Sequence, residues 1–123
     1  MKVRRWLLPL LWAGVILTGT SLPSSVIPGQ ASGVDKALHF GIYLLLGVLL
    51  TREFAEVTTR WRAAALAIVA AVVFGAVDEW HQQFIPGRST ELADWYADSI
   101  GAIIGAIMAA IRRRVPSPPS AIG

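Results

Sequence analysis

The sequence predicts an all-α, polytopic membrane protein: a bundle of four transmembrane helices with both termini in the cytoplasm. Three observations predict it. Of the 123 residues, 54% are hydrophobic, whereas a water-soluble domain of this size carries a more polar surface. Nine of the eleven Lys/Arg residues gather at Lys2, Arg4 and Arg5, at Arg52, Arg60 and Arg62, and at Arg112, Arg113 and Arg114. Six of the eight acids lie elsewhere, at Asp35, Asp78, Glu79, Glu91, Asp94 and Asp98. Apolar stretches separate these clusters. A chain that alternates basic, apolar, acidic and apolar in this way is stitched through a bilayer with its basic loops on the cytoplasmic side. Nine bases against Glu53 and Glu56 leave +7 inside; Lys36 and Arg88 against six acids leave −4 outside, consistent with the net +3.

The elements follow in order. A span needs roughly 20 residues, with about 17 as the lower limit. The first apolar run is Trp6 to Leu22, stopped by Pro23. Lys2, Arg4 and Arg5 before Leu7 to Leu17 also resemble a signal peptide, but no clear cleavage site follows, and a retained helix is the expectation. Leu22 to Gly33, with Pro23, Pro28, Gly29, Gly33 and three serines, has a loop composition. The second run, from Asp35 to Thr51, is a bare minimum span, which forces His39 into the outer part of its helix. Thr51 to Trp61 is a short charged connection with Trp61 at headgroup level.

The third run is Ala63 to Val77, extended by Glu79 and Trp80. Its exit carries Phe84-Ile85-Pro86-Gly87-Arg88, where Pro-Gly favours a type II turn that aims Arg88 back at the helix ends. Ser89 or Thr90 is placed to cap the fourth helix, and Glu91 suits its positive end. Ser99 to Ile111 is too short to span unless that helix starts near Leu92 or Asp94, which draws Asp98 inside it. Residues 1–114 form one domain, and the Pro- and Ser-rich tail 115–123 is expected to be disordered.

Composition also excludes. Without cysteine there is neither disulfide nor thiolate metal site. The bases flank the membrane in three separate clusters instead of forming one groove, so nucleic acid is not a partner. No dedicated ligand spacing such as H-E-x-x-H appears, and neither a metal nor another cofactor is expected. No elbow motif supports a serine nucleophile.

The chemistry of the chain lies at the outer helix ends. Asp35, His39 and Tyr43 descend one face of the second helix at i, i+4, i+8. Asp78 and Gln82 share a face of the third helix, Glu79 and Gln83 the neighbouring one; Asp94 and Asp98 share a face of the fourth. A charge at the bilayer centre costs about 2.5–3.5 kcal/mol, so these residues are expected to converge in the bundle interior. Arg88 is expected to bond Asp94 or Glu79, and His39 a carboxylate of the third or fourth helix. Interhelical glue is the plainer reading, at about 0.6 kcal/mol per bond, but glue needs fewer residues than this. Three members have plain readings of their own: His81 as a solvated side chain, Tyr43 as an interfacial aromatic, and Asp78 as the end of its helix. Ala97, Gly101, Gly105 and Ala109 form a small-residue ridge on the fourth helix, open to two readings: packing within the bundle, or homodimerisation through the Gly101/Gly105 face.

Three motifs in order carry a resemblance. Asp35-Lys36-Ala37-Leu38-His39-Phe40, with Tyr43 beyond, resembles the D-K-x-x-H-F signature of the VanZ-like family. Asp78-Glu79 through Gln82, Phe84 and Pro86-Gly87-Arg88 resembles its D-E-x-x-Q-x-F-x-P-G-R segment. Asp94, Asp98 and Gly101 resemble its closing D-x-x-x-[ND]-x-x-G, where the family often has Asn at the position of Asp98. The resemblance covers Val34 to about Ile111. It implies a small multi-pass protein of the bacterial inner membrane, from a family named for a protein linked to low-level teicoplanin resistance.

The resulting expectation is an outward-facing polar pocket that binds an envelope-related ligand, a lipid headgroup or peptidoglycan precursor. Its candidate binding residues are Asp35, Lys36, His39, Tyr43, Asp78, Glu79, Gln82, Arg88, Asp94 and Asp98. One alternative is an intramembrane enzyme with His39, Glu79 and Asp94 as candidate catalytic groups on a lipid-linked substrate. A small transporter is the other, disfavoured because the first and third helices are apolar through their centres.

Overall fold

A computed structural model describes residues 3–22, 33–87 and 91–112, and they fold as helices. A 3-10 turn, Val3–Trp6, leads into α1, Leu7–Thr20; then follow α2, Gly33–Phe54, α3, Arg60–Gln82, and α4, Leu92–Arg112. Three of these are long and apolar enough to cross a membrane: Asp35–Phe54, Arg60–Gln82 and Leu92–Arg112. At 1.5 Å per residue α3 is about 35 Å long, matching a hydrocarbon core of about 30 Å. The first apolar run yields less helix than its length predicts. α1 has 14 residues, only about 21 Å of α-helix.

Helix starts and stops follow local chemistry. Asp35 lies in the first turn of α2 and Arg52 in its last; Asp94 and Arg112 hold the same places in α4. Each charge faces the helix end of opposite polarity. α3 does not end at Asp78 as the sequence reading allows: it runs on to Gln82, where the Phe84 and Ile85 amides donate to the His81 and Gln82 carbonyls. Gly87 then adopts φ 76°, the left-handed conformation that the Pro-Gly turn requires.

The outside of the bundle is hydrocarbon-compatible. Leu7, Leu8, Leu10, Leu11 and Val15 on α1, Val69, Val73 and Val77 on α3, and Ile100, Ile104 and Ile111 on α4 are exposed. So continuous an apolar surface belongs against lipid. Much of the interior is built from small residues: Ala64 and Ala67 of α3 pack with Ala106 and Ala110 of α4, and Ala71 shares a cluster with Ala102.

α2 and α4 pack most extensively, α3 lies against both, and α1 covers α2. The ridge on α4 explains the closeness of the central pair. A Cβ on Gly101 would collide with the Phe40 carbonyl, one on Gly105 with the Leu44 carbonyl, and one on Gly47 with the Ala102 carbonyl. The Gly101/Gly105 face, one of whose two readings was a homodimer contact, is thus covered by α2 of the same chain. This backbone-to-backbone contact fixes the register between the helix that carries His39 and the helix that carries Asp98.

The two ends of the bundle differ in charge. At one end Arg5 pairs with Glu56 at 2.7 Å, and Arg52 and Arg112 line a common recess. At the other end stand Asp35, Lys36, His39, Asp78, Glu79, Glu91, Asp94 and Asp98.

Candidate functional site

The acidic end is a layered polar cluster, and each layer draws on more than one helix. The outermost layer centres on Lys36. Its ammonium lies 2.5 Å from Glu91 Oε2, 2.5 Å from Asp94 Oδ1 and 3.9 Å from Asp35 Oδ2. One turn deeper, His39 Nδ1 is 2.7 Å from Asp98 Oδ1, and its Nε2 is 3.8 Å from Asp35 Oδ1. Deeper again, Tyr43 donates to Asp78 Oδ2 at 3.4 Å, and Thr20 donates to Asp78 Oδ1 at 2.6 Å. Glu79 accepts from the Glu91 amide at 3.3 Å. So α1, α2, α3 and α4 all contribute.

Burial within this cluster is nearly complete. His39 and Glu79 are 5% exposed, Gln82 2%, and Tyr43, Asp78 and Asp98 0%. Tyr43 is therefore a core residue and not an interfacial aromatic. Gly75 makes the convergence possible: the space a Cβ would fill there is bounded by the Trp95 ring, the Tyr43 ring and Asp98 Cβ at 3.4–3.5 Å. Trp95 is anchored by donating to the Val72 carbonyl at 3.1 Å, and Trp12 by donating to the Ile42 carbonyl at 2.8 Å. Both bonds tie indoles across helix interfaces beside the polar layers.

Two openings reach the cluster. A cleft of about 530 Å³ between α3 and α4 is lined by Ala76, Glu79, Trp80, Gln83, Leu92 and Trp95, with Glu91 at its rim. A smaller cavity of about 230 Å³ lies between α1 and α2, apolar along Val15, Ile16, Leu38 and Ile42 and polar at Thr20, Asp35 and His39. The cluster is thus reachable from the side of the bundle at two places.

Nine of the ten sequence-designated binding residues lie among the described ones, and all nine belong to this end of the bundle. Arg88 lies outside the described residues, as do Ser89, Thr90 and the tail 115–123. Asp94, one of the partners expected for Arg88, is bonded by Lys36. For His39 the partner is Asp98 of α4. His81 is half-buried, not solvated. Sequence reasoning missed Thr20, the contribution of α1 to the innermost layer. The available signal was a hydroxyl in the outer end of an otherwise apolar run. Glu91, read only as a helix-dipole partner, proves to be a ligand of Lys36.

The cluster is built from residues of all three motifs. A family model described as VanZ/LLP1 matches residues 4–113. The chain belongs to the VanZ/LLP1 family. Searches of the curated proteins and of the solved structures found no match. The VanZ-like domain thus spans nearly the whole chain, α1 included, and the protein is a VanZ-like membrane protein in which His39, Asp78, Glu79, Gln82, Asp94 and Asp98 of the three motifs are buried.

Proposed function

We propose that this protein is a binding module of the bacterial inner membrane that takes the polar head of an envelope-related amphiphile into its acidic end. The observation that carries the reading is the cleft between α3 and α4. It joins two indoles, Trp80 and Trp95, to the carboxylates of Glu79 and Glu91, and it opens sideways from a bundle with an apolar exterior. A membrane amphiphile enters from the side with its chain still in lipid. Indole faces and carboxylates suit a head bearing amines or hydroxyls. Lys36 supplies donors for phosphate or carbonyl oxygens on the same head, and in this reading Arg88, from the segment between α3 and α4, adds to them. In this reading both termini are cytoplasmic, the chain crosses four times, and the acidic end faces outward. A headgroup or peptidoglycan precursor held there connects the chain to the glycopeptide resistance for which the family is named.

Native mass spectrometry of the protein extracted from membranes tests the reading. Wild type is expected to retain a discrete set of amine- or hydroxyl-bearing lipids, and Glu79→Gln and Lys36→Ala are expected to lose them. Identical bound species in all three proteins would remove the proposal. Sidedness is tested separately by Arg88→Cys in this cysteine-free chain: an impermeant maleimide is expected to label it from outside intact cells.

One observation favours a second reading, an intramembrane enzyme. The 2.7 Å contact from His39 Nδ1 to Asp98 orients the imidazole as a general base is oriented, and its Nε2 lies beside the cavity between α1 and α2. Turnover of a lipid-linked substrate that survives His39→Gln would exclude it.

A further inference from the structure

We propose that His39, Glu79 and Asp98 form a binding site for one divalent metal cation at the base of the polar cluster. The three residues come from α2, α3 and α4, and one potential ligand atom from each lies within 4.8 Å of the others. No spacing along the chain announces the set, because each ligand sits on a different helix. The register of α2 on α4 sets the His39–Asp98 edge: Gly101, one turn beyond Asp98, rests on the carbonyl of Phe40, the neighbour of His39.

Two independent features point to a cation. The first is an orphaned acceptor: Asp98 is fully buried, and its Oδ2 has no hydrogen-bond partner among the described residues. Its other oxygen already meets His39 at 2.7 Å. Buried carboxylate oxygens are almost always satisfied, so an empty one marks a missing donor or ion. The second feature is charge. Two carboxylates flank a single imidazole there, and burying carboxylates inside a membrane-length segment is costly. A divalent cation offsets that cost and links the three long helices. An ion bridging His39 to Asp98 takes the place of the proton that joins them.

The shallower group of Asp35, His39 and Asp94 also has ligand atoms within 4.8 Å of one another. There the ammonium of Lys36, 2.5 Å from Asp94, already supplies a cation. One imidazole nitrogen with carboxylate oxygens suits Zn²⁺ or Mn²⁺ better than Ca²⁺, which prefers an all-oxygen shell.

The test uses the full-length protein in detergent, stripped with chelator and titrated with Mn²⁺ and separately with Zn²⁺. Wild type is expected to bind one ion per chain and to melt at higher temperature with it. The Mn²⁺ form is expected to show ¹⁴N coupling from the imidazole in pulsed electron paramagnetic resonance. His39→Gln and Asp98→Asn, close in size to the native residues, are expected to weaken binding at least as much as loss of an outer-shell partner does, about 10–100-fold. Asp35→Asn is expected to keep it. Absence of ion binding or of ¹⁴N coupling in wild type overturns the proposal without recourse to any variant. Loss of the ion in Asp35→Asn with retention in Asp98→Asn also overturns it, by moving the ion to the shallower group. The probes are the ions alone, so the result does not depend on the amphiphile reading.

Discussion

The two halves of this bundle are held together by opposite means. Towards the basic end, Ala64 and Ala67 of α3 pack with Ala106 and Ala110 of α4, Leu50 and Phe54 of α2 lie against them, and Thr51 bonds the Gly47 carbonyl of its own helix. Towards the acidic end the same three helices, with α1, meet through carboxylates, an imidazole, a phenol, a hydroxyl and an ammonium. In a bilayer, burial of apolar surface does not drive helices together, so close van der Waals contact and interhelical hydrogen bonds must do so. The alanine- and glycine-lined half meets that need in full. The polar half exceeds it, with more buried charge than adhesion requires, and that surplus is the ground for proposing a functional site there.

The largest effect separating the halves is expected from Gly105→Leu. Its side chain would occupy the space of the Leu44 backbone, and the overpacking is expected to cost about 3 kcal/mol, the upper part of the usual range. Unfolding in a graded SDS titration measures it, and a change near zero would show that α2 and α4 are not in backbone contact. Asp98→Ala comes next. It strips the buried His39 of its partner, with an expected loss of about 1–3 kcal/mol in the same titration. Lys36→Ala is expected to lose less than about 1 kcal/mol, because a partly exposed ammonium pairs weakly, yet it should abolish ligand retention. That contrast breaks the account if stability and binding fall together. The smallest effects are those of Tyr43→Phe and Thr20→Val, each removing one hydrogen bond to Asp78, at about 0.6 kcal/mol.

Much of this division was legible in the sequence. Charge spacing located the helices, and helical periodicity placed Asp35, His39 and Tyr43 on one stripe and Asp94 and Asp98 on another. The length limit on α4 forced Asp98 inside, where it is fully buried. Partner identity was not legible. That Lys36 meets Asp94 depends on the rotation of α2 about its axis, and periodicity leaves that angle undetermined. The backbone contacts of Gly101 and Gly105 set it, and they pair helices sixty residues apart. Thr20 was missed for a similar reason. Thr20, one of three hydroxyl residues near the end of the first apolar run with Thr18 and Ser21, gains meaning only when Asp78 is known to lie opposite at 2.6 Å.

The central claim is that the outer ends of α2, α3 and α4 converge on one patch, and paired cysteines test it most directly. The native chain has none, so Lys36→Cys/Asp94→Cys treated with a short bis-methanethiosulfonate carries no background. Efficient cross-linking within a single chain is expected, with none for Arg5→Cys/Asp94→Cys. Failure of the first pair to cross-link while both cysteines remain reactive to a monofunctional reagent would contradict the account.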